Sequence, residues 1–129
     1  MNMSTPYDAI GGEQTLLRLV ERFYFYMDTV PEAQGVRDLH HNGLTSAKDK
    51  LFKFLSGWLG GPNLFIEEFG HPMLRARHLP FLIGEAERDQ WMLCMNKALA
   101  DVAMDSQLKI NFQNALQQLS THMINPLPQ

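Results

Sequence analysis

The sequence predicts an all-α fold. Every long segment carries apolar residues at steps of three and four, and none alternates with period two over more than a few residues. Glycine and proline clusters punctuate the periodic stretches where helices have to stop. Thr5 reads as an N-cap with Pro6 at the first helical position, so Tyr7 to Ile10 make about one turn before Gly11-Gly12 breaks it. From residue 13 to 27, Leu16, Val20, Phe23, Tyr24 and Met27 share one helical face, which is unusually aromatic. Pro31 to Leu39 can form a short helix, followed by the turn sequence His40-His41-Asn42-Gly43.

Thr45 and Ser46 read as N-caps of a helix over 46–59, with Ser46 and Asp49 resembling a capping box. Ala47, Leu51, Phe54, Leu55 and Trp58 are its expected buried stripe, and Gly60-Gly61-Pro62 is its stop. Asn63 to His71 has no clean period and is expected to be irregular. Pro72 and Pro80 bound a piece with room for at most about two turns, which contains His78. Glu85 and Glu87 then open a helix over 85–103 with the stripe Trp91, Met95, Ala98 and Val102. Ser106 is the expected cap of a last helix over 106–124, striped by Leu108, Phe112, Leu116, Leu119 and Met123 and ending before Pro126.

Length and composition bound the possibilities. A chain of 129 residues has room for a single domain, with a core over 6–125 and short tails, and not for separate cofactor and substrate lobes. With 45% hydrophobic and 19% charged residues it should bury a core without staples. A formal net charge of -3 and the lack of a basic run disfavour nucleic acid and anionic membranes as partners. The single cysteine, Cys94, fits a reducing compartment, and the opening residues have neither the basic start nor the apolar core of a secretory leader. A cytoplasmic location is the expectation. The odd feature is eight Phe, eight Met, three Tyr and two Trp, more large soft side chains than a small bundle needs to fill itself.

The chemistry has to come from few residues. Of His40, His41, His71, His78 and His122, none stands with Cys94 at the short spacing of a zinc site. Glu-x-x-His occurs once, at Glu68 to His71, where a di-iron bundle needs it on two helices. There is no Gly-x-Ser-x-Gly elbow, and no glycine-rich loop follows a strand. What remains is a helical shell with aromatic inner faces and one histidine on a short proline-bounded helix beside Arg75 and Arg77. A haem needs a flat apolar slot, one nitrogen ligand and cations for its two propionates. His78, the aromatic and methionine faces, and Arg77 can supply all three.

The stretch Gly70-His71-Pro72-Met73-Leu74-Arg75-Ala76-Arg77-His78-Leu79-Pro80-Phe81 resembles the iron-ligand segment of the truncated haemoglobins, specifically their second group. Gly11-Gly12, Phe23-Tyr24, Gly60-Gly61-Pro62, Arg88-Asp89-x-Trp91 and Cys94-Met95 stand in the same order and spacing, so the resemblance covers about Tyr7 to Asn125. It implies a shortened globin fold, a two-over-two helical sandwich around one haem b per chain.

The resemblance makes His78 the proximal iron ligand, bonded through its remote ring nitrogen while the near one donates to a backbone carbonyl. Tyr24 matches the distal tyrosine, a hydrogen-bond donor to bound dioxygen, and Trp91 the distal tryptophan, whose indole can only donate. Core packing is the plain alternative for both. His40 falls where the group varies among Phe, Tyr and His: it can hydrogen-bond to the ligand or to Tyr24, become a sixth iron ligand, or face water. Ala47 takes the place of the distal histidine of ordinary globins and, being small, leaves a side opening, with Leu51 one turn later above the haem. Lys50 and Arg77 match positions that pair with propionates, although a solvated charge is common for Lys50. Phe54, Leu55, Leu74, Phe81 and Met95 are expected haem-wall residues, with ordinary core as the alternative.

The expected function is the binding of dioxygen and other diatomic ligands at ferrous iron. Several polar groups over iron would slow dioxygen release and disfavour bulk delivery, which points to redox chemistry on peroxide or nitric oxide with an external electron donor. The competing readings are a sensing or oxygen-binding module without turnover, with His40 on the iron, and a haem-free interaction domain. A monomer or a homodimer is expected.

Overall fold

The computed structural model describes residues 5–40, 43–79, 81 and 83–125, and among them it is all-helical. Helix α1 (Pro6–Ile10) starts as the sequence predicts: the Thr5 hydroxyl accepts from the Asp8 amide at 3.1 Å, and Pro6 takes the first position. Gly11 closes it at φ 114°, a left-handed conformation costly to any residue with a Cβ. In α2 (Gly12–Thr29) the expected face is buried, with Leu19 added to it. The segment after Pro31 is a 3₁₀ turn (Pro31–Ala33) running into α3 (Gln34–Asp38). Of the turn expected next, His41 and Asn42 lie outside the described residues, but the Gly43 amide donates to the His40 carbonyl at 3.3 Å.

Helix α4 (Thr45–Trp58) corrects two expectations. The Leu44 carbonyl accepts from Lys48 at 2.8 Å, so the helix begins early enough to leave Thr45 and Ser46 inside its first turn and no side chain caps it. Asp49 pairs with Lys53 at 2.9 Å instead of closing a box with Ser46. The predicted stripe is also not uniformly buried. Leu55 is fully buried, whereas Ala47, Leu51 and Phe54 pack against the core with one side only and Trp58 is 36% exposed.

The stop at Gly60-Gly61 behaves as expected: the Gly61 amide reaches back to the Ser56 carbonyl at 2.8 Å and the Gly60 amide to Gly57 at 3.0 Å, a Schellman end with Gly60 at φ +89°. A Cβ on Gly61 would lie 2.5 Å from the Tyr7 ring, and the Tyr7 amide donates to the Leu59 carbonyl at 2.9 Å, so α1 is docked on this helix end.

The stretch expected to be irregular contains α5 (Leu64–Phe69). Six residues are too few to display a period, and tertiary contacts form the helix: Phe65 is buried, 6.3 Å from the Phe54 ring and 4.8 Å from Phe69, and Glu68 pairs with Lys53 at 2.8 Å. Helix α6 (Leu74–His78) follows within the proline-bounded piece.

Helix α7 (Glu85–Ala100) begins with the Glu87 carboxylate accepting from the Gly84 amide at 2.7 Å and stops three residues before the expected end at 103. The predicted stripe is buried: Met95, Ala98 and Val102 are buried and Trp91 is half-buried, and Met92, Cys94 and Leu99 widen this one face of a helix on which α2, α3 and α8 pack. Just past its end, Asp101 accepts from Arg22 at 2.8 Å and from the Tyr26 hydroxyl, tying α2 to α7.

Helix α8 (Ser106–His122) is capped by Asp105, whose carboxylate accepts from the Leu108 amide at 3.1 Å, and not by Ser106. Asp105 is the last residue with extended backbone (ψ 137°), the geometry a cap requires, while Ser106 is already helical. Helix α2 packs on α4 and α7, and α7 on α8, around a shared core that includes Leu16, Phe23, Leu55, Met95, Leu99 and Leu116.

The cap assignment is testable by urea unfolding. Asp105→Ala should lose about 1 kcal/mol, and Ser106→Ala should change stability by less than about 0.5 kcal/mol.

Candidate functional site

The site residue that stands most alone is His78, the last residue of α6. The approach to this helix is unusual: Gly70 sits at φ +82° and Met73 at φ 44°, the latter left-handed for a residue with a long side chain. None of the five helical residues is buried, and His78 is half-buried. Its Nδ1 lies 2.6 Å from the Leu74 carbonyl oxygen one turn back. A carbonyl has no proton to give, so Nδ1 carries the hydrogen and donates it. In the neutral ring Nε2 is then left with a lone pair, the form in which imidazole binds a metal.

Three further predicted residues come together from different elements. Tyr24 of α2 is buried; its ring centroid is 4.8 Å from Phe23 and 6.0 Å from His40, which follows α3. Phe23 in turn meets Trp91 of α7 at 5.0 Å, edge to face. The result is one row, His40, Tyr24, Phe23 and Trp91, in which the outer members carry polar atoms. The Tyr24 hydroxyl donates to the Ala47 carbonyl at 3.3 Å, long for an O–H···O bond. His40 Nδ1 lies 3.0 Å from the Val36 carbonyl, so by the same reasoning it carries the proton there and the lone pair is on Nε2. The neutral His40 ring is thus an acceptor, not a donor, on its other side.

Gln90 was invisible to sequence reasoning. Its Oε1 accepts from the Val36 amide at 2.8 Å and holds α3 against α7, which sets where His40 stands. The contact spans 54 positions and involves a backbone amide, so no local pattern announces it.

The apolar residues singled out divide into two sets. Leu55 and Met95 are fully buried in the core, whereas Leu51, Phe54 and Leu74 are half-buried and Phe81 is 37% exposed, its ring 6.5 Å from His78. Among the cations, Arg77 uses Nη2 to donate to the Phe69 and His71 carbonyls, both at 3.2 Å. Lys50 is exposed with its ammonium 5.7 Å from the Phe69 ring. Arg75 turns away to the end of α8, donating to the His122 and Ile124 carbonyls. Among the described residues no three His, Cys, Asp or Glu side chains gather into a metal cage. Cys94 offers no thiolate, since burial pushes its pKa up to about 11.

Comparison with known proteins places the chain in a family. The profile of the bacterial-like globin family matches residues 5–125. The chain is 38% identical over 124 residues, 96% of its length and 91% of the relative's, to "Group 2 truncated hemoglobin YjbI" of Bacillus subtilis (strain 168). It superposes with a TM-score of 0.93 and 41% identity on the group II 2-on-2 hemoglobin of the plant pathogen Agrobacterium tumefaciens, covering 97% of each chain. It also superposes, with a TM-score of 0.86 and 38% identity, on a structure described as a truncated oxygen-avid haemoglobin from Bacillus subtilis, over 95% of this chain and all of the other.

Burial disfavours the charged phenolate of Tyr24 and raises its pKa well above the ordinary 10.0. For an acid this means a contribution to stability that is complete below pH 10 and is lost as the pH climbs beyond it, where the unfolded chain releases its proton first. Titration of the phenols by ultraviolet absorption should show a component ionising above pH 10 that is missing in Tyr24→Phe.

Proposed function

The chain belongs to the group II two-on-two truncated haemoglobins, a branch of the bacterial-like globins, and from that premise we propose that His78 holds one haem b per chain for redox chemistry on small ligands. Membership of a globin family makes it a haem protein that binds dioxygen and related diatomic ligands. When bound, haem supplies the iron position at which dioxygen, nitric oxide or peroxide reacts, and the iron's redox change.

The observation that carries this reading is the His78–Leu74 contact, which presents an imidazole lone pair from a half-buried position. A metal bound through one histidine has to bring most of its other ligands itself, as a porphyrin iron does. Leu51, Phe54, Leu74 and Phe81 fit a flat apolar group, because each keeps an open side. Leu55 and Met95 support that wall from within the core. Arg77 has five N–H donors and spends two on backbone carbonyls, so it retains donors for a propionate, with exposed Lys50 as a second cation.

Two donors serve the ligand. Trp91 contributes an indole N–H that can only donate, and the long Tyr24–Ala47 bond is exchanged cheaply for a bond to a ligand that carries partial negative charge. Donors in a dry pocket hold such a ligand strongly and slow its release, which suits turnover of peroxide or nitric oxide better than bulk oxygen delivery. That a relative is described as oxygen-avid accords with this. The activity is then peroxidase-like or nitric-oxide dioxygenase-like, with reducing equivalents from a donor outside the chain.

A second reading, a ligand or redox sensor without turnover, draws on His40. Its Nδ1 contact with Val36 orients a lone pair on Nε2 by the same device used at His78, as a sixth iron ligand would require.

His78→Gly should abolish haem retention, restored by free imidazole, as read from the Soret absorption. Trp91→Phe and Tyr24→Phe should each speed dioxygen release by about 10- to 100-fold in stopped-flow measurements; release that is fast in the wild type and unchanged in both overturns the donor assignment. If the sensing reading holds, the ferric protein is six-coordinate and low-spin and becomes high-spin in His40→Ala. A wild type that is already high-spin eliminates it.

A further inference from the structure

A five-residue helix with no buried residue does not hold its own position in water, so α6 is placed by whatever grips it from outside. The firmest grip comes from far along the chain. Beyond the end of α8, the Asn125 side chain donates through Nδ2 to the His78 carbonyl at 3.3 Å and to the Phe81 carbonyl at 2.9 Å. Its Oδ1 accepts from the Ile83 amide at 3.3 Å, and its own backbone amide donates to the Ile83 carbonyl at 3.0 Å. These bonds reach the backbone at residues 78, 81 and 83, between the candidate iron ligand and α7. A carboxamide suits the task because it donates twice from one atom and accepts at the other. Arg75 adds a second tie, from α6 to the last carbonyl of α8 at 2.8 Å (His122) and to the Ile124 carbonyl just beyond it at 3.0 Å.

The geometry points to Asn125 as a positioning residue for the proximal ligand: by holding the His78 carbonyl and the peptide behind it, Asn125 sets the height and rotation of the imidazole, and so the strength of its bond to iron. The segment that follows α8 becomes a determinant of ligand chemistry although it lies outside the ligand pocket. The inference rests on His78 being the axial ligand, and the measurements below separate the two claims.

The test uses the haem-loaded protein, reading the iron–histidine stretching band of the ferrous form by resonance Raman and the rate of haem transfer to apomyoglobin. Asn125→Asp keeps the acceptor at Ile83 and removes both donated bonds; it should shift or broaden the band and raise haem loss by roughly 5- to 30-fold, the effect of losing two hydrogen bonds. Asn125→Ala should do the same or more, and the near-isosteric Asp variant decides if the alanine protein does not load. A band unmoved in Asn125→Asp, with haem loss within about twofold of wild type, overturns the positioning role.

The control is His78→Gly loaded with free imidazole, where the axial ligand is no longer attached to the backbone. Adding Asn125→Asp there should leave the iron–imidazole band in place. An equal shift in that background means a general loosening of the haem slot and overturns the inference. If His78→Gly alone leaves the original iron–histidine band intact, it is the ligand assignment that fails.

Discussion

A carbonyl oxygen brings no proton to a hydrogen bond, so in the neutral ring the 2.6 Å contact between Leu74 and His78 determines which imidazole nitrogen carries the hydrogen and which is bare. The proposed attachment of haem depends on that choice. With the proton on Nε2 instead, the ring would present a hydrogen where the proposed bond to iron needs an electron pair. The contact is made within one helical turn, so the short helix α6 is as long as the chemistry demands.

The proposed ligand-facing side is organised through α7, the helix on which α2, α3 and α8 all pack. It carries Trp91 into contact with Phe23 and, through Gln90, fixes the segment that ends in His40. The aromatic row and the core are therefore continuous: the same Phe23 that is fully buried among the helices also spaces Tyr24 from Trp91. Donors placed on such a row are held by packing and need little reordering when a ligand arrives.

Much of this was legible in the sequence because it is local or periodic. The Thr5-Pro6 start, the face of α2 and the Gly60-Gly61 stop each follow from a few adjacent residues. What escaped was fixed from a distance. Helix α5 exists because Phe65 packs on Phe54, and no six-residue pattern encodes a partner on another helix. The caps of α4 and α8 were misplaced by one residue or so because good cap residues stand side by side there, and backbone geometry, not residue type, selects among them. Gln90 and Asn125 are ordinary surface-type residues by composition; each matters through bonds to backbone atoms 42 to 54 positions away. For His78 the motif singles out the residue and implies a backbone-carbonyl partner, and the geometry identifies that partner as Leu74.

The ties on α6 also have a direction in time. Residues 75, 78, 81 and 83 are made 42 to 49 positions before His122, Ile124 and Asn125, the residues to which they are tied. During synthesis from the N-terminus, α2, α4 and α5 can begin to associate while the histidine-bearing segment still lacks its restraints. Capture of the cofactor in its final geometry is then a late event, reserved for a chain whose last helix has already docked. A ribosome that stalls short of that helix leaves a chain with its histidine unaimed.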